Sequence, residues 1–475
     1  MHWAKISGLL CIFGLFKDFR PSESFITDYL VGPWKNFTDA QVNQEIYPVG
    51  TYAYFGTLVI VFLITDFLRY KPIIILCGLS GAIAFLLMIV GKSVLTIQIL
   101  EFFYGVYLSA EVAYYTYIYA KVDKTHYQEV TSHTKAASLI GRCSAGIVAQ
   151  LTTSFGLLDY HQLNYLTLGA YICATIWALF LPPVGQSIYF HRNSVDYEIA
   201  SPSKDIEKDI DQTLCDPQQQ DTSKASKRQP SLSNKLRTAY YLLWKDFLQA
   251  FTSFYVIKWI GWWALSTCGY LQVANYIQLL WQDAVEPGDT IYNGAVDCLY
   301  ALIGAITVFG VGKVPLNWIL LGDLSIALSA FIEGALLFLA SYSYNIWVLY
   351  AVYIVFGIVY HTMVTVASFE VAKHISEDSY GLIFGVTIFF ALLLESILTA
   401  IVLHKNFNLH IRTQYYVYAG YFIVIAAAYM ILGIIKLIQS CRKGDKFQLR
   451  AMDISETNNG QAADDAKSIK SLSTT

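Results

Sequence analysis

Charge is what this chain has least of. Asp, Glu, Lys and Arg make up 14% of its 475 residues, where an ordinary soluble domain carries about 25%. Hydrophobic residues reach 55%, aromatic ones 15%, and the mean hydropathy is +0.45. That balance excludes a soluble domain and leaves a polytopic membrane protein in a lipid bilayer. The net charge of −3 gives no sign of a nucleic-acid partner, and none is expected. Paired cysteines are also missing. Cys11, Cys77, Cys143, Cys173, Cys268 and Cys298 lie in apolar runs, Cys215 and Cys441 in polar ones. Without a CxxC or a Cys/His cluster, neither a metal site nor a disulfide framework is indicated. Cys441 reads as a plain thiol ahead of a palmitoylation site. No Walker loop, HExxH, nucleophile elbow or dinucleotide fingerprint is present. His361 and His374 are isolated and read as satisfied or solvated. An enzyme is therefore not expected, nor is a cofactor, and uphill transport would draw on an ion gradient or on exchange. A cleavable signal peptide is absent by pattern: Met1–Lys5 leads into an apolar run without a small-residue cleavage site, so the first span should remain.

Apolar runs of spanning length fall near 6–30, 47–67, 73–92, 95–121, 136–157, 163–182, 251–281, 293–312, 315–340, 346–372, 381–403 and 415–438. They divide six and six around a polar segment, Gly185 to Lys245, rich in charge, glutamine, serine and proline. The expectation is an all-α integral membrane protein with the major facilitator arrangement: twelve transmembrane helices in two six-helix bundles. Residues 1–184 and 246–440 form the bundles, 185–245 a largely disordered cytoplasmic linker, and 441–475 a disordered cytoplasmic tail.

Charge sets the expected orientation. With the N-terminus cytoplasmic, inside loops hold Arg69 and Lys71, Lys121, Lys124 and Lys135, the basic linker, Lys313, Lys373 and the Lys436–Arg450 cluster. Outside loops hold Lys35, Lys92, Lys405 and Arg412. The positive-inside rule favours this choice. Asn36-Phe37-Thr38 then lies in the first outside loop as a glycosylation acceptor.

The stretch Leu100–Tyr119 is long enough to span a bilayer yet holds Glu101 and Glu111. One central acid costs roughly 2.5–3.5 kcal/mol on insertion scales. At about 100° per residue, Leu108, Tyr104, Tyr115 and Glu111 fall about 20°, 60°, 40° and 80° to one side of Glu101. Tyrosines and both acids share one broad face, suited to a ligand that is cationic or rich in donors. A structural network neutralising the two glutamates is the competing reading.

Other spans carry expensive residues too. Pro21 in Arg20-Pro21-Ser22-Glu23 should kink span one and set Glu23 at the break, with Arg20 as its partner or a substrate at its side. Arg142 in span five needs a counter-ion, for which Glu111 and Glu101 are the candidates. Asp66 and Arg69 at the end of span two, and Lys135, read as gate or orienting charges. In the second half Asp297, Glu333, Glu370 and Glu395 are acidic and Lys258 is the base well inside a run. Glu370 and Lys373 read as a solvated helix end, whereas mid-span Glu395 favours a cavity role. Gln272, Asn275, Tyr276 and Gln278 make span seven polar, as a cavity wall should be. Gly78–Ala84 and Ser144–Gly146 should let helices pack closely.

RPSESFITDYLVGPWKNFT, EIYPVGTYAY, LITDFLRYKPIIIL, the FFYG…AEVAYYTYIY helix, HYQEV, NYIQLLW, IYNGAV and YGLIFGV resemble the reduced folate and thiamine carriers, solute carrier family nineteen. The likeness runs from about Leu10 to about Ile435 and lapses in the linker and tail, where the family also varies. It implies a twelve-span facilitator with both termini in the cytosol and a central cavity for a water-soluble vitamin.

Folate carriers resemble one another in holding bases where this chain has Glu111, Gly357 and Glu395. Thiamine carriers share AEVAYY, and the resemblance implies that Glu101 and Tyr104 hold an aminopyrimidine, with Glu23 and Asn275 also at the substrate. Two departures stand against this: Gly50 replaces a tryptophan, and Arg142 a tyrosine, of the thiamine carriers. Lys135 matches a basic position of both branches. The pattern leaves a net negative cavity with Arg142 as its deep base, where a folate dianion would be repelled by about 2 kcal/mol per like pair ~8 Å apart. The sequence is thus read as a plasma-membrane secondary transporter, monomeric or weakly homo-oligomeric, for thiamine or a related organic cation. The alternatives are folate, or a family member with a changed ligand or a transport-dead sensor role.

Overall fold

The computed structural model describes residues 2–65, 67–122, 126–184, 251–285, 290–311, 318–375, 380–403 and 409–443, with positions 241, 244, 247 and 248. Asp66, most of the expected linker and nearly all of the expected tail lie outside the described residues. Among the described residues all regular structure is helical. In chain order the long elements are α1 (Trp3–Asp18), the short α2 (Ile26–Val31), α3 (Tyr47–Thr65), α4 (Lys71–Val90), α5 (Val94–Lys121), α6 (Tyr127–Ser154) and α7 (Tyr160–Ala178). After the linker come α8 (Phe254–Gln282), α9 (Asn293–Val311), α10 (Trp318–Tyr342), α11 (Ile346–Ala372), α12 (Tyr380–Val402) and α13 (Ile411–Lys443).

Local chemistry explains several boundaries. Ser93 accepts from the Thr96 amide at 3.2 Å and starts α5. Asp159 and Gln162 form a reciprocal capping box at α7. Pro21 does break the first helix. Arg20, restricted as the residue before proline, leaves helical geometry at φ −128° and ψ 69°. A 3-10 turn, Pro21–Phe25, then carries the chain into α2.

Six helices, Asp39–Thr65, Lys71–Val90, Leu321–Tyr342, Ile346–Ala372, Leu382–Val402 and Ile411–Gln439, are long and apolar enough to cross a membrane. The remaining long helices are diluted by the groups they turn inward: the tyrosines and glutamates of α5, the threonines, Gln150 and Arg142 of α6, the amides of α8. Large apolar side chains stay exposed around the outside, Ile60 at 59% and Val424 at 69% among them, as lipid contact requires.

In the first half α5 packs on α3 and α4, α7 on α4, and α1 on α6 and α7. In the second, α10 lies along α13, and α8 touches α11, α12 and α13. The halves meet through α6 with α9, α3 with α12, and α2 with α8. The first of these is a backbone contact. A Cβ on Gly146 would sit 2.5 Å from the Gly294 carbonyl oxygen, and one on Gly294 would sit 2.8 Å from that of Gly146. Only glycine permits this approach, and it accounts for the small-residue stretch at Ser144–Gly146.

Candidate functional site

A cavity of about 420 Å³ lies between the halves. Glu23, Glu101, Tyr104, Glu111, Asn275 and Glu395, gathered from four separate stretches of sequence, all line it, as does Arg142. The shared face of α5 is therefore a cavity wall. Lys135 is exposed on α6 and does not line it, and Arg69 sits exposed in the turn after α3, at φ 60°.

The first-half wall is an ion network built on the helix break. Lys17 donates to Glu111 Oε1 and lies 3.0 Å from Asp18 Oδ2. Asp18 Oδ1 is 3.5 Å from Arg20 Nη2 and 3.5 Å from Arg142 Nε. Arg20 Nη1 donates to Glu23 Oε1 at 2.5 Å and to the Tyr104 hydroxyl at 3.0 Å, and Tyr104 donates to the same Glu23 oxygen at 2.8 Å. The Arg20 guanidinium also faces the Tyr107 ring at 5.7 Å. Three bases thus meet three acids. The acid within ion-pair distance of Arg142 is Asp18, while Glu111, held by Lys17, attracts Arg142 from further away. Arg142 is also not the one deep base: Lys17 and Arg20 accompany it. Lys17 and Asp18 escaped the sequence reading, although Lys17-Asp18-Phe19-Arg20 places three charges within an apolar run, a signal that could have found them.

The freed backbone at the break is satisfied from the other half. Gln278 Nε2 donates to the Glu23 carbonyl at 2.7 Å, and its Oε1 accepts from the Thr27 amide at 3.0 Å. One glutamine thus serves a donor and an acceptor that a continuous helix would have paired.

Facing this network are acids that form no ion pair among the described residues. Glu395 Oε1 accepts from Asn275 Nδ2 at 3.1 Å and from Thr51 at 3.4 Å across the halves. Asp297 Oδ2 accepts from Ser24 at 2.6 Å. Glu101 is 9% exposed and makes no ion pair or hydrogen bond among the described residues. Its carboxylate fills the space over Gly50, where a Cβ would stand 2.5 Å from Glu101 Oε2. Glycine at position 50 and the free carboxylate therefore belong together.

Other expectations need correction. Glu370 is 2% exposed rather than solvated, and accepts from Tyr255 at 2.7 Å and Lys373 at 2.8 Å. His361, by contrast, is satisfied as expected: its Nε2 bonds the Tyr300 hydroxyl, which lies 2.8 Å from that of Tyr270. A side chain on Gly357 would run into the Tyr300 ring, so the position of one folate-carrier base is sterically filled here. Lys258 pairs with Asp323.

The halves are tied together on one side of the cavity. Asp28 accepts from Gln282 at 3.1 Å and Asn293 at 3.2 Å, and Gln150 donates to the Ile291 carbonyl at 3.0 Å. These bonds join α2 and α6 to α8 and α9 beside the Gly146–Gly294 contact.

Comparison with known proteins agrees with this architecture. The profile of the reduced folate carrier family matches residues 1–417. Thiamine transporter 1 of Mus musculus is 38% identical over 463 residues, covering 93% of this chain and 92% of the mouse protein. Thiamine transporter 2 of Homo sapiens is 37% identical over 451 residues, with 90% and 89% covered. The human reduced folate transporter is 33% identical over 458 residues, with 93% and 74% covered. Among solved structures, a POT family transporter superposes with a TM-score of 0.62 at 10% identity, over 90% of this chain and 96% of that one. The nucleoside transporter NupG gives 0.54 at 16% identity, over 90% and 99%. The fold is thus that of the major facilitator transporters, and the chain belongs to the reduced folate carrier family of membrane transporters.

Proposed function

We propose that the chain moves thiamine, an organic cation, across the plasma membrane by alternating access, with Glu23, Glu101, Tyr104, Glu111, Asn275 and Glu395 around the substrate. One observation carries the choice of a cation. Each base near the cavity is matched by its own acid, Lys17 with Glu111, Arg20 with Glu23 and Arg142 with Asp18. Glu101, Asp297 and Glu395 form no ion pair among the described residues. A quaternary thiazolium meets three carboxyl groups there, and tyrosine rings add to its attraction. A folate dianion meets the same groups with every nearby base engaged, and each like pair about 8 Å apart opposes it by about 2 kcal/mol. Similarity to the two thiamine transporters supports the same reading.

The test is uptake of labelled thiamine and labelled folate in the same expressing cells. Saturable thiamine uptake, with folate at background, is expected. Saturable folate uptake that thiamine does not compete would overturn the assignment.

The orientation proposed with this function places both termini, the 185–245 linker and the tail in the cytosol, and Asn36 outside. Asn36 is exposed in a turn at φ 58°, a left-handed conformation that asparagine tolerates. Deglycosylation should therefore increase gel mobility of the protein, and Asn36→Gln should abolish that increase. Identical mobility in all samples would remove the glycan from this account.

A further inference from the structure

Cys143 on α6 and Cys298 on α9 belong to opposite halves, 155 residues apart, yet their Sγ atoms lie 3.0 Å from each other. Both side chains are partly exposed, so a small reagent can reach them. The surroundings hold the pair in register. Gly146, three residues on from Cys143, brings the backbones so close that a Cβ there would stand 3.1 Å from the Cys298 amide nitrogen and 3.2 Å from its Cβ. One turn further along α6, Gln150 Oε1 accepts from the Ala295 amide at 3.2 Å. A disulfide places sulfurs about 2.05 Å apart, so closing this pair brings the two sulfurs about an ångström closer.

We propose that Cys143 and Cys298 form an oxidation site: an intramolecular disulfide that fastens α6 to α9 and arrests the transporter with this side of its cavity closed. The oxidant is a peroxide. The two thiols give up two protons and two electrons, one S–S bond forms, the O–O bond of hydrogen peroxide breaks, and two waters leave. The consequence is mechanical. Opening the cavity on this side separates α6 from α9, and a covalent tie of fixed length forbids that separation. In the reduced protein the same two thiols slide apart freely, so the tie acts only under oxidation. This inference rests on the transport reading for its functional half and on geometry alone for its chemical half.

The experiment treats cells expressing the full chain with hydrogen peroxide, blocks free thiols with a maleimide, and reads two quantities separately. Peptide mass spectrometry should find a Cys143–Cys298 cross-link that dithiothreitol removes. Labelled thiamine uptake should fall at least fivefold and return with dithiothreitol. Cys143→Ser and Cys298→Ala, two independent variants, should each lose the cross-link and keep their uptake under peroxide to within twofold. Absence of the linked peptide in the oxidised wild type would overturn the site. A linked peptide with full uptake, or equal inhibition of the wild type and both variants, would overturn the arrest. If untreated cells take up no thiamine, the substrate assignment fails instead, and the cross-link measurement still decides the oxidation site.

Discussion

Replacing Glu101 by glutamine should lower thiamine uptake at least tenfold while the protein continues to reach the cell surface. The carboxylate lines the cavity and makes no ion pair or hydrogen bond among the described residues. Its amide isostere therefore orphans no partner within the fold, which is the usual route by which a buried substitution unfolds a protein. What is lost is the charged acceptor presented to an aminopyrimidine or a thiazolium. A hydrogen bond to a charged group contributes about 1.5–3 kcal/mol, which corresponds to roughly 10- to 150-fold in an equilibrium constant at 1.36 kcal/mol per tenfold. Surface biotinylation separates transport from expression. Wild-type kinetics in Glu101→Gln would sink the role, and a loss of surface protein matching the loss of uptake would move Glu101 into the structural framework. Gly50 sharpens the prediction: position 50 carries no side chain, so nothing from that position fills the place of the missing charge.

Much of this site was legible in the sequence because insertion into lipid makes polar residues conspicuous. Glu23, Glu101, Glu111 and Glu395 each interrupt an apolar run, and helical periodicity alone places Tyr104 beside Glu101. The proline break was equally visible. What periodicity cannot give is the identity of the neighbouring helix. The sequence points Arg142 to a glutamate of α5, and it does not reveal that α1 lies against α6 and brings Asp18 within 3.5 Å. Gln278 reads as one polar wall residue among several, and its satisfaction of the broken helix depends on a contact across 255 residues. The same holds for Tyr300 with His361, and for Glu370, whose half-buried partner Tyr255 lies 115 residues away. Residues 404–408 and 312–317, which include Lys405 and Lys313 of the orientation argument, lie outside the described residues.

The ion network on the broken helix leads to the largest expected effect on folding. Asp18 is fully buried and is shared among Lys17, Arg20 and Arg142. When one partner of a buried ion pair is removed, the remaining charge is left uncompensated, at about 3–5 kcal/mol; a whole domain is stable by about 5–15 kcal/mol. Asp18→Asn should therefore sharply reduce surface protein, and fluorescence-detected size exclusion should show a shift from a single peak toward aggregate. The three bases will not suffer equally. Lys17 keeps Glu111 and Arg20 keeps Glu23, whereas Arg142 has no second acid within ion-pair distance among the described residues. Its side chain is 44% exposed, so water screens part of its charge and the low end of the range applies. The network therefore makes an asymmetric prediction about rescue. Adding Arg142→Gln to Asp18→Asn should restore most of the monodisperse protein, since it removes the charge left alone. Adding Lys17→Met should make matters worse, because Glu111 then loses its cation as well. Wild-type surface expression of Asp18→Asn, or equal recovery from both second substitutions, would show that the three bases do not depend on Asp18 in the way their geometry implies.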